Sequence, residues 1–130
     1  MLVDITNEVY DALKTTLVGV TVLQAYPATT PVFPCVVVEE GNNINFPDTH
    51  DSAGDHHSDS GLQINIFSNS ENKISEVKQI RNVIDTLLAG TYNLNRDESQ
   101  AVENLLDTSI YRYVLRYSYL VDSNKTIYRR

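Results

Sequence analysis

The sequence has one cysteine, no tryptophan and no long hydrophobic run, and each shortage limits the kinds of structure or site that are expected. Cys35 is the only cysteine in 130 residues, so an internal disulfide is excluded and a buried free thiol, made in a reducing cytoplasm, is expected. The longest apolar run, Cys35 to Val38, has four residues, far below the roughly 18–20 that a membrane-spanning helix needs. Met1 to Asp4 provide neither the basic nor the apolar part of a signal peptide, so none is expected.

Positive charge is missing from a long part of the chain. The formal net charge is −7, and no lysine or arginine occurs between Thr15 and Asn72. The acids of that segment are Glu39, Glu40, Asp48, Asp51, Asp55, Asp59 and Glu71. Five of the ten bases lie in the last 19 residues: Arg112, Arg116, Lys125, Arg129 and Arg130. Because an acidic field repels phosphate, tight or sequence-specific DNA binding is not expected.

This charge asymmetry leaves two interpretations open. In the first, the net charge only keeps the chain soluble. In the second, the acidic middle of one copy meets the basic C-terminal end of the next copy.

Two helices are predicted from apolar residues spaced by three and four. The first carries Leu2, Ile5, Val9, Leu13 and Leu17, with Asp4 as its cap and Gly19 at its end. The second begins at Ser70 or Asn72, contains an Arg81–Asp85 pair and ends at Gly90. Its apolar stripe is Ile74, Val77, Ile80, Ile84, Leu87 and Leu88.

Strands are predicted where β-branched or alternating residues occur, at 20–26, 35–40, 61–67 and 109–121, with 127–130 pairing back as an edge. The valines of 35–40 favour an interior position in the sheet. Residues 92–94 are interpreted as a short strand, whereas 95–108 are interpreted as either a short helix or a loop. Together with the length, these elements predict a single domain, 1–130, of the α+β class. Its mainly antiparallel sheet has two helices packed on one face and a long polar loop or hairpin arm, 41–60.

The polar arm contains the best candidate for metal chemistry. Residues 48–59 hold all three histidines and four aspartates, which are metal-ligand types. Their spacing is irregular and matches neither a helical zinc motif nor a calcium loop, which favours a solvated loop over a metal site. A cation bound between subunits remains the alternative.

Catalytic motifs are not found in the sequence. It contains no GxSxG, GxGxxG or Walker A pattern and no nucleophile with an arranged base. Glu39 and Glu40 are adjacent on a predicted strand and therefore point to opposite faces. We predict no enzyme activity, no cofactor and no metal site, and the lack of tryptophan weakens a small-molecule site further.

The last long strand has two unlike faces. Tyr111, Tyr113, Tyr117 and Tyr119 share one face, and Arg112 and Arg116 lie on the other. The tyrosine face is interpreted either as core under a helix or as a subunit interface. The arginines are interpreted either as a solvated face with local ion pairs or as a surface that meets acids from a neighbouring copy.

The order of these features resembles the tail-terminator or tail-completion proteins, also called head–tail joining or minor capsid proteins, of long-tailed bacteriophages. The matching features are a first helix, a Tyr26-Pro27 to Pro34 crossing, Val36-Val-Val-Glu-Glu40, a long polar loop, a strand at 62–68, a helix at 74–88 and the Tyr/Arg strand. The resemblance implies a ring, usually a hexamer, that caps the tail tube and docks it to the head connector while DNA passes through. It places the protein in the tail or neck of a virion after synthesis in the host cytoplasm.

The resemblance implies further copies of the chain, the tail-tube protein and head-completion or connector proteins as partners, with no membrane. The interface candidates are Phe46, Asp48, Asp51, Asp55, Asp59, Tyr111, Arg112, Tyr113, Arg116, Arg129 and Arg130. Charge reversal at Arg112 and Arg116 is expected to block assembly. The alternatives are another neck or tail component (a head-completion adaptor, a stopper or a tail-tube protein) and a small metal-binding protein that uses the His/Asp loop.

Overall fold

A sheet with two helices on one of its faces forms the fold in a computed structural model. The structure describes residues 5–28, 31–45, 57–102, 109–122 and 127–128, with the backbone alone at 42–45, 57–60, 120–122 and 127–128. In chain order, the elements are α1 (Thr6–Thr16), β1 (Thr21–Leu23), β2 (Cys35–Asn45), β3 (His57–Ser68), α2 (Lys73–Asp85) with a π-helical continuation (Thr86–Thr91), β4 (Asn95–Val102), β5 (Tyr111–Asp122) and β6 (Ile127–Tyr128). The predicted α+β class is confirmed.

The sheet has the strand order β1-β2-β3-β5-β4, and β6 pairs with β5 as well. β1 is parallel to β2, and every other pair is antiparallel. One row across the centre contains Val38, Ile64 and Leu115 on β2, β3 and β5. The interior position predicted for β2 is confirmed, whereas β1 is shorter than the predicted strand at 20–26.

Helix α1 follows its predicted apolar stripe. Ile5, Val9, Leu13 and Leu17 are all buried, at 0–6% exposure, and belong to the core between the helices and the sheet. The helix ends before Gly19, which has a φ of 77°, in the left-handed region that favours glycine. The predicted cap, Asp4, lies outside the described residues.

Helix α2 buries most of its predicted stripe, but three details of the prediction are wrong. Val77, Ile80, Ile84 and Leu88 are buried, but Ile74, in the first turn of the helix, is 51% exposed. Asn72 occupies the N-cap position, without a side-chain capping bond.

The second correction concerns the predicted Arg81–Asp85 pair. Arg81 donates to Tyr113 Oη at 3.2 Å and to Asn82, while Asp85 accepts hydrogen bonds from Arg96 and Tyr117. The predicted pair does not form because residues of β4 and β5 offer both side chains partners outside the helix.

The helix also ends differently from the prediction. Gly90 lies inside the π-helical continuation, and Asn93, with a φ of 60°, is the residue that turns the chain toward β4. Asparagine tolerates this conformation better than most residues. Residues 92–94 form no strand.

β4 is the largest departure from the sequence analysis. Residues 95–102 form an eight-residue strand instead of a helix or loop, and 103–108 lie outside the described residues. The segment is polar and lacks alternation, so its sequence has low strand propensity. Backbone pairing with β5, from Asn95 opposite Ser118 to Val102 opposite Arg112, determines its conformation.

The predicted arm is a hairpin over its described part. β2 and β3 pair as far as Asn45 opposite Ser58, with a register shift between Glu40 and Asn43. At its base, Gly41 lies so close to β3 that an added Cβ would be 3.0 Å from the carbonyl carbon of Gly61. A side chain there would be in tight contact with the neighbouring backbone, so glycine suits the close approach of the two strands. Residues 46–56, including Phe46, Asp48, Asp51 and Asp55, lie outside the described residues.

A second, smaller apolar cluster lies on the other face of the sheet. It joins Cys35, Val37, Phe67 and Ile110, with Leu23 and Phe33 packed against them. Burial raises the pKa of the Cys35 thiol to about 11, because the charged thiolate loses hydration there. The predicted buried free thiol is confirmed.

Candidate interface on the uncovered sheet face

The tyrosine face of β5 belongs to the core. Tyr113, Tyr117 and Tyr119 are 7%, 1% and 0% exposed and pack with the residues of α1 and α2, while Tyr111 is partly buried against the same core. The core interpretation is therefore confirmed. Tyr113, which the sequence analysis also named as an interface candidate, has its ring under the helices instead of on an accessible surface.

The hydroxyl of each buried tyrosine of β5 makes a hydrogen bond to a residue of a neighbouring element. Tyr119 Oη accepts a hydrogen bond from the Ile5 backbone N–H at 3.2 Å, at the start of α1. Tyr117 Oη donates to Asp85 Oδ1 at 2.8 Å, and the other carboxylate oxygen accepts from Arg96 at 2.9 Å. Burial and the Asp85 carboxylate raise the pKa of Tyr117. These bonds satisfy polar atoms that burial would otherwise make costly.

Tyr113 has positively charged neighbours, whereas the hydroxyl of Tyr117 is bonded to a carboxylate. Its hydroxyl lies 2.7 Å from Ser99 Oγ and 3.2 Å from Arg81 Nη1, and the Arg81 guanidinium carbon lies 5.3 Å from the ring centroid. Burial raises the pKa of Tyr113, but the hydrogen bonds from Ser99 and Arg81 and the nearby charges of Arg81 and Lys78 outweigh it and lower the pKa.

The opposite side of the sheet is not covered by either helix, and we call it the uncovered face. By register, it consists of Cys35, Val37 and Glu39 on β2, Gln63, Asn65 and Phe67 on β3, Arg112, Val114, Arg116 and Ser118 on β5, and Glu98, Gln100 and Val102 on β4. One end carries the smaller apolar cluster, and the Tyr26 ring lies 5.0 Å from the Phe67 ring there. The rest presents mainly polar side chains.

Arg116 is neutralised within its own chain. Its Nη1 lies 2.9 Å from Glu98 Oε2, and its Nε donates to Gln63 Oε1 at 3.2 Å. The Arg116 and Glu98 side chains are 54% and 30% exposed. This arrangement matches the local ion pair that the sequence analysis considered as one alternative.

Arg112 is held in place without a counter-ion among the described side chains. Its Nε and Nη2 donate to Asn65 Oδ1 at 3.1 and 2.9 Å, and its guanidinium carbon lies 5.9 Å from the Phe67 ring centroid. Asn65 is 3% exposed and is itself held by a long 3.5 Å bond from Nδ2 to Glu39 Oε1. Arg112 is therefore an oriented, partly exposed cation on this face.

A third polar group lies where β4 is irregular. The register of β4 shifts between Arg96 and Glu98, and Asp97 Oδ1 accepts from Asn95 Nδ2 at 2.7 Å and from Ser118 Oγ at 3.1 Å. Sequence reasoning missed Asp97, Glu98, Gln63 and Asn65 as parts of this surface. The alternation of residues along 61–67 predicts that Gln63 and Asn65 point to the face of the strand away from Ile64. Only the tertiary structure shows that Gln63 contacts Arg116 and that Asn65 contacts Arg112.

Apart from Tyr111 and Tyr113, the predicted interface residues fall into three groups. Arg112 and Arg116 share the uncovered face, as predicted, about 13 Å apart along β5. Asp59 lies in the arm, where only the backbone is described. Phe46, Asp48, Asp51, Asp55, Arg129 and Arg130 lie outside the described residues, so a contact between the arm and the arginines stays a prediction.

Other kinds of site have little representation in the described part of the chain. No group of three or more potential metal-ligating side chains occurs there, and His50 and His56 of the His/Asp loop lie outside it. Depressions of about 560 and 370 Å³ lie along α2, both broadly open to solvent. Neither described helix is long and apolar enough to cross a bilayer.

Neither the protein-family models nor the curated proteins compared with this chain include a match.

Proposed function

We propose that this protein is the tail terminator of a long-tailed bacteriophage, a ring that caps the tail tube and joins it to the head connector. The observation that carries the proposal is the division of the sheet. Two helices close one face, whereas the other face and the β2–β3 hairpin arm are two unlike surfaces that the helices do not cover. The helices and strands on which the family resemblance rests occur in the same order in the fold, which has β4 in addition.

A ring of identical subunits needs two unlike, complementary surfaces on each copy. The arm comes from the part of the chain that has acids and no lysine or arginine, and the uncovered face presents Arg112 without a counter-ion among the described residues. Contact between the arm of one copy and the face of the next would close a ring if the rotation per subunit divides a full turn. The resemblance suggests six copies.

The charge of the protein suits a channel for DNA. A net charge of −7 gives a field that repels phosphate, so DNA would pass through the ring without being bound. This role needs no catalytic group. The partners are then further copies of the chain, the tail-tube protein and the head-completion or connector proteins, within a virion assembled after synthesis in the host cytoplasm.

The test is deletion of the gene from the phage genome that encodes the chain, followed by negative-stain imaging of the lysate. The expected result is DNA-filled heads beside unattached tails, including tails of uncontrolled length. Expression of the intact chain from a plasmid should restore joined particles. This rescue attributes the defect to the missing protein instead of to a disturbed neighbouring gene.

The same images separate the proposal from its rivals within the neck and tail. Heads that have lost their DNA beside tails of normal length would indicate an adaptor or stopper, and filled heads with no tails would indicate a tail-tube protein. Either pattern would overturn the terminator assignment. Normal infectious particles would overturn the structural role altogether.

A further inference from the structure

Arg112 and Arg116 differ in a way that the sequence does not show. Both arginines lie on the uncovered face, but Arg116 has a carboxylate partner in Glu98, whereas Arg112 is bonded to the neutral amide of Asn65. The amide oxygen uses two donors of a guanidinium that has five. The remaining donors are available for a carboxylate, which binds guanidinium strongly through paired, charge-assisted hydrogen bonds.

We propose that Arg112 is the docking point for the acidic arm segment, residues 48–59, of a second copy of this chain. The proposal names the partner of the interface on which the ring depends, and so rests on the proposed function. The segment has four aspartates and no lysine or arginine, and its charge is therefore complementary to an arginine that has no counter-ion among the described side chains.

The acidic segment of the same copy does not reach Arg112. Arg112 lies opposite Phe67, ten residues along β3 from His57, where the described part of the arm ends, which is about 33 Å of strand. Eleven residues connect Asn45 to His57. Because that connection has to go out and return, it extends at most about 20 Å from the strand ends. A carboxylate of the 48–59 segment that reaches Arg112 therefore comes from another copy.

The surroundings of Arg112 restrict where such a segment binds. Glu39 and Glu98 carry negative charge elsewhere on the uncovered face, and both are already held by hydrogen bonds to Asn65 and Arg116. Of the two arginines on this face, Arg112 is the one that no described carboxylate pairs with, so it is the one that favours an acidic segment. The contact between the guanidinium and the Phe67 ring, together with the two bonds to buried Asn65, fixes the Arg112 side chain before binding. Such preorganisation lowers the entropy cost of docking.

The test is a titration followed by nitrogen-proton NMR of the arginine side chains. The receptor is the full chain with Asp48, Asp51, Asp55 and Asp59 each changed to Asn, so that its own arms do not compete. The probe is a synthetic peptide of residues 46–60, and the matched control peptide carries Asn at the same four positions. The Nε–Hε signal of Arg112 should shift to saturation with the acidic peptide and not with its control, and the shift should weaken at high salt.

Three further receptors compare the contribution of Arg112 with that of Arg116. Arg112→Gln should weaken peptide affinity by about tenfold or more, since a hydrogen-bonded charge pair is lost. Arg116→Gln should change it by less than about twofold, because Glu98 already occupies Arg116. Arg112→Lys, which keeps the charge without the fork, should give an intermediate affinity. The backbone spectrum of each receptor reports whether it is folded.

The proposal is overturned if the Arg112 signal does not move, if both peptides move it equally, or if the two glutamine variants lose affinity equally. These outcomes are distinct from failure of the proposed function. Docking at Arg112 together with normal particles after gene deletion would indicate self-association without a role in the tail. Unattached tails after deletion, without docking, would leave the terminator assignment intact and remove only this contact.

Discussion

The two faces of one sheet are built on opposite principles. On the helix-covered face, Ile64, Leu115 and Tyr117 are at most 1% exposed, and stability comes from removing apolar surface from water. Over most of the uncovered face, Gln63, Asn65, Arg112 and Arg116 bond to one another or to carboxylates. A buried apolar face holds the fold together, whereas exposed ion pairs such as Arg116–Glu98 on the uncovered face contribute little to stability and leave charged groups accessible to a partner.

The largest loss of stability is expected from a cavity on the helix-covered face. Ile64→Ala should lower the free energy of unfolding by about 2–5 kcal/mol, since the deleted atoms leave space that the core fills only partly. The matched control is the adjacent residue on the other face, Gln63→Ala, with an expected loss below about 1 kcal/mol. Chemical denaturation of both variants measures the difference. Equal losses would show that the two faces contribute alike.

At the apolar end of the uncovered face, burial of Cys35 makes the stability of the protein depend on pH in the alkaline range. Burial raises the pKa of Cys35 from 9.0 to about 11, so between these values the unfolded chain loses the thiol proton while the native chain keeps it. Stability from the protonated thiol is therefore complete below pH 9 and is lost as pH rises toward 11. The loss amounts to about 2–3 kcal/mol.

The measurement is the free energy of unfolding at pH 8 and pH 11, for the unaltered chain and for Cys35→Ala. The unaltered chain should lose about 2–3 kcal/mol more than the variant over this interval. Tyrosine and lysine titrations are common to both chains and cancel in the difference. Parallel pH curves would mean that the thiol is hydrated in the native state.

A hydroxyl on the covered face provides a finer test. Tyr117→Phe removes the hydrogen bond to Asp85 Oδ1 and should cost about 1–2 kcal/mol, because a buried bond to a carboxylate is lost. The control is Tyr92→Phe, whose hydroxyl has no hydrogen bond to another described residue and should cost less than about 0.5 kcal/mol. Thermal unfolding compares the two variants, and indistinguishable values would exclude a stabilising role for the Tyr117 hydroxyl.

The smallest effect is expected from the ion pair on the uncovered face. Arg116→Gln and Glu98→Gln should each lower stability by less than about 1 kcal/mol, since both side chains are substantially exposed. The double variant should lose no more than either single variant if the pair is the only interaction removed. Denaturation at low and high salt completes the cycle. A loss of several kcal/mol would place this pair among the interactions that hold the fold.

Residue patterns predict the regular elements where burial alternates along the chain. The stripe of α1, the alternation of β3 and the two faces of β5 correspond to observed elements because each has one apolar side that water excludes. The residue pattern does not predict β4, because an edge strand with mostly exposed residues has no alternation of apolar and polar residues. Ile74 and the Arg81–Asp85 pair fail for a related reason: helical spacing shows which residues neighbour each other on a helix, not what packs beside them.

The candidate site was predictable in part. Strand periodicity alone put Arg112 and Arg116 on one face and the tyrosines on the other. It left open whether the tyrosines form core or interface, because a tyrosine ring suits both. Periodicity also does not distinguish the two arginines, whereas in the structure Arg116 pairs with Glu98 and Arg112 donates to Asn65.

The sequence by itself determined the fold class, the acid-only middle of the chain and the separation of tyrosine from arginine on β5, because these depend on residue type and on the period of each element. Only the tertiary structure decided which face the helices cover, that residues 95–102 join the sheet, and that Arg112 lacks a counter-ion among the described side chains. Strand register is the physical reason. It brings residues 47 or more positions apart into contact, as with Asn65 and Arg112, and no local pattern encodes that pairing.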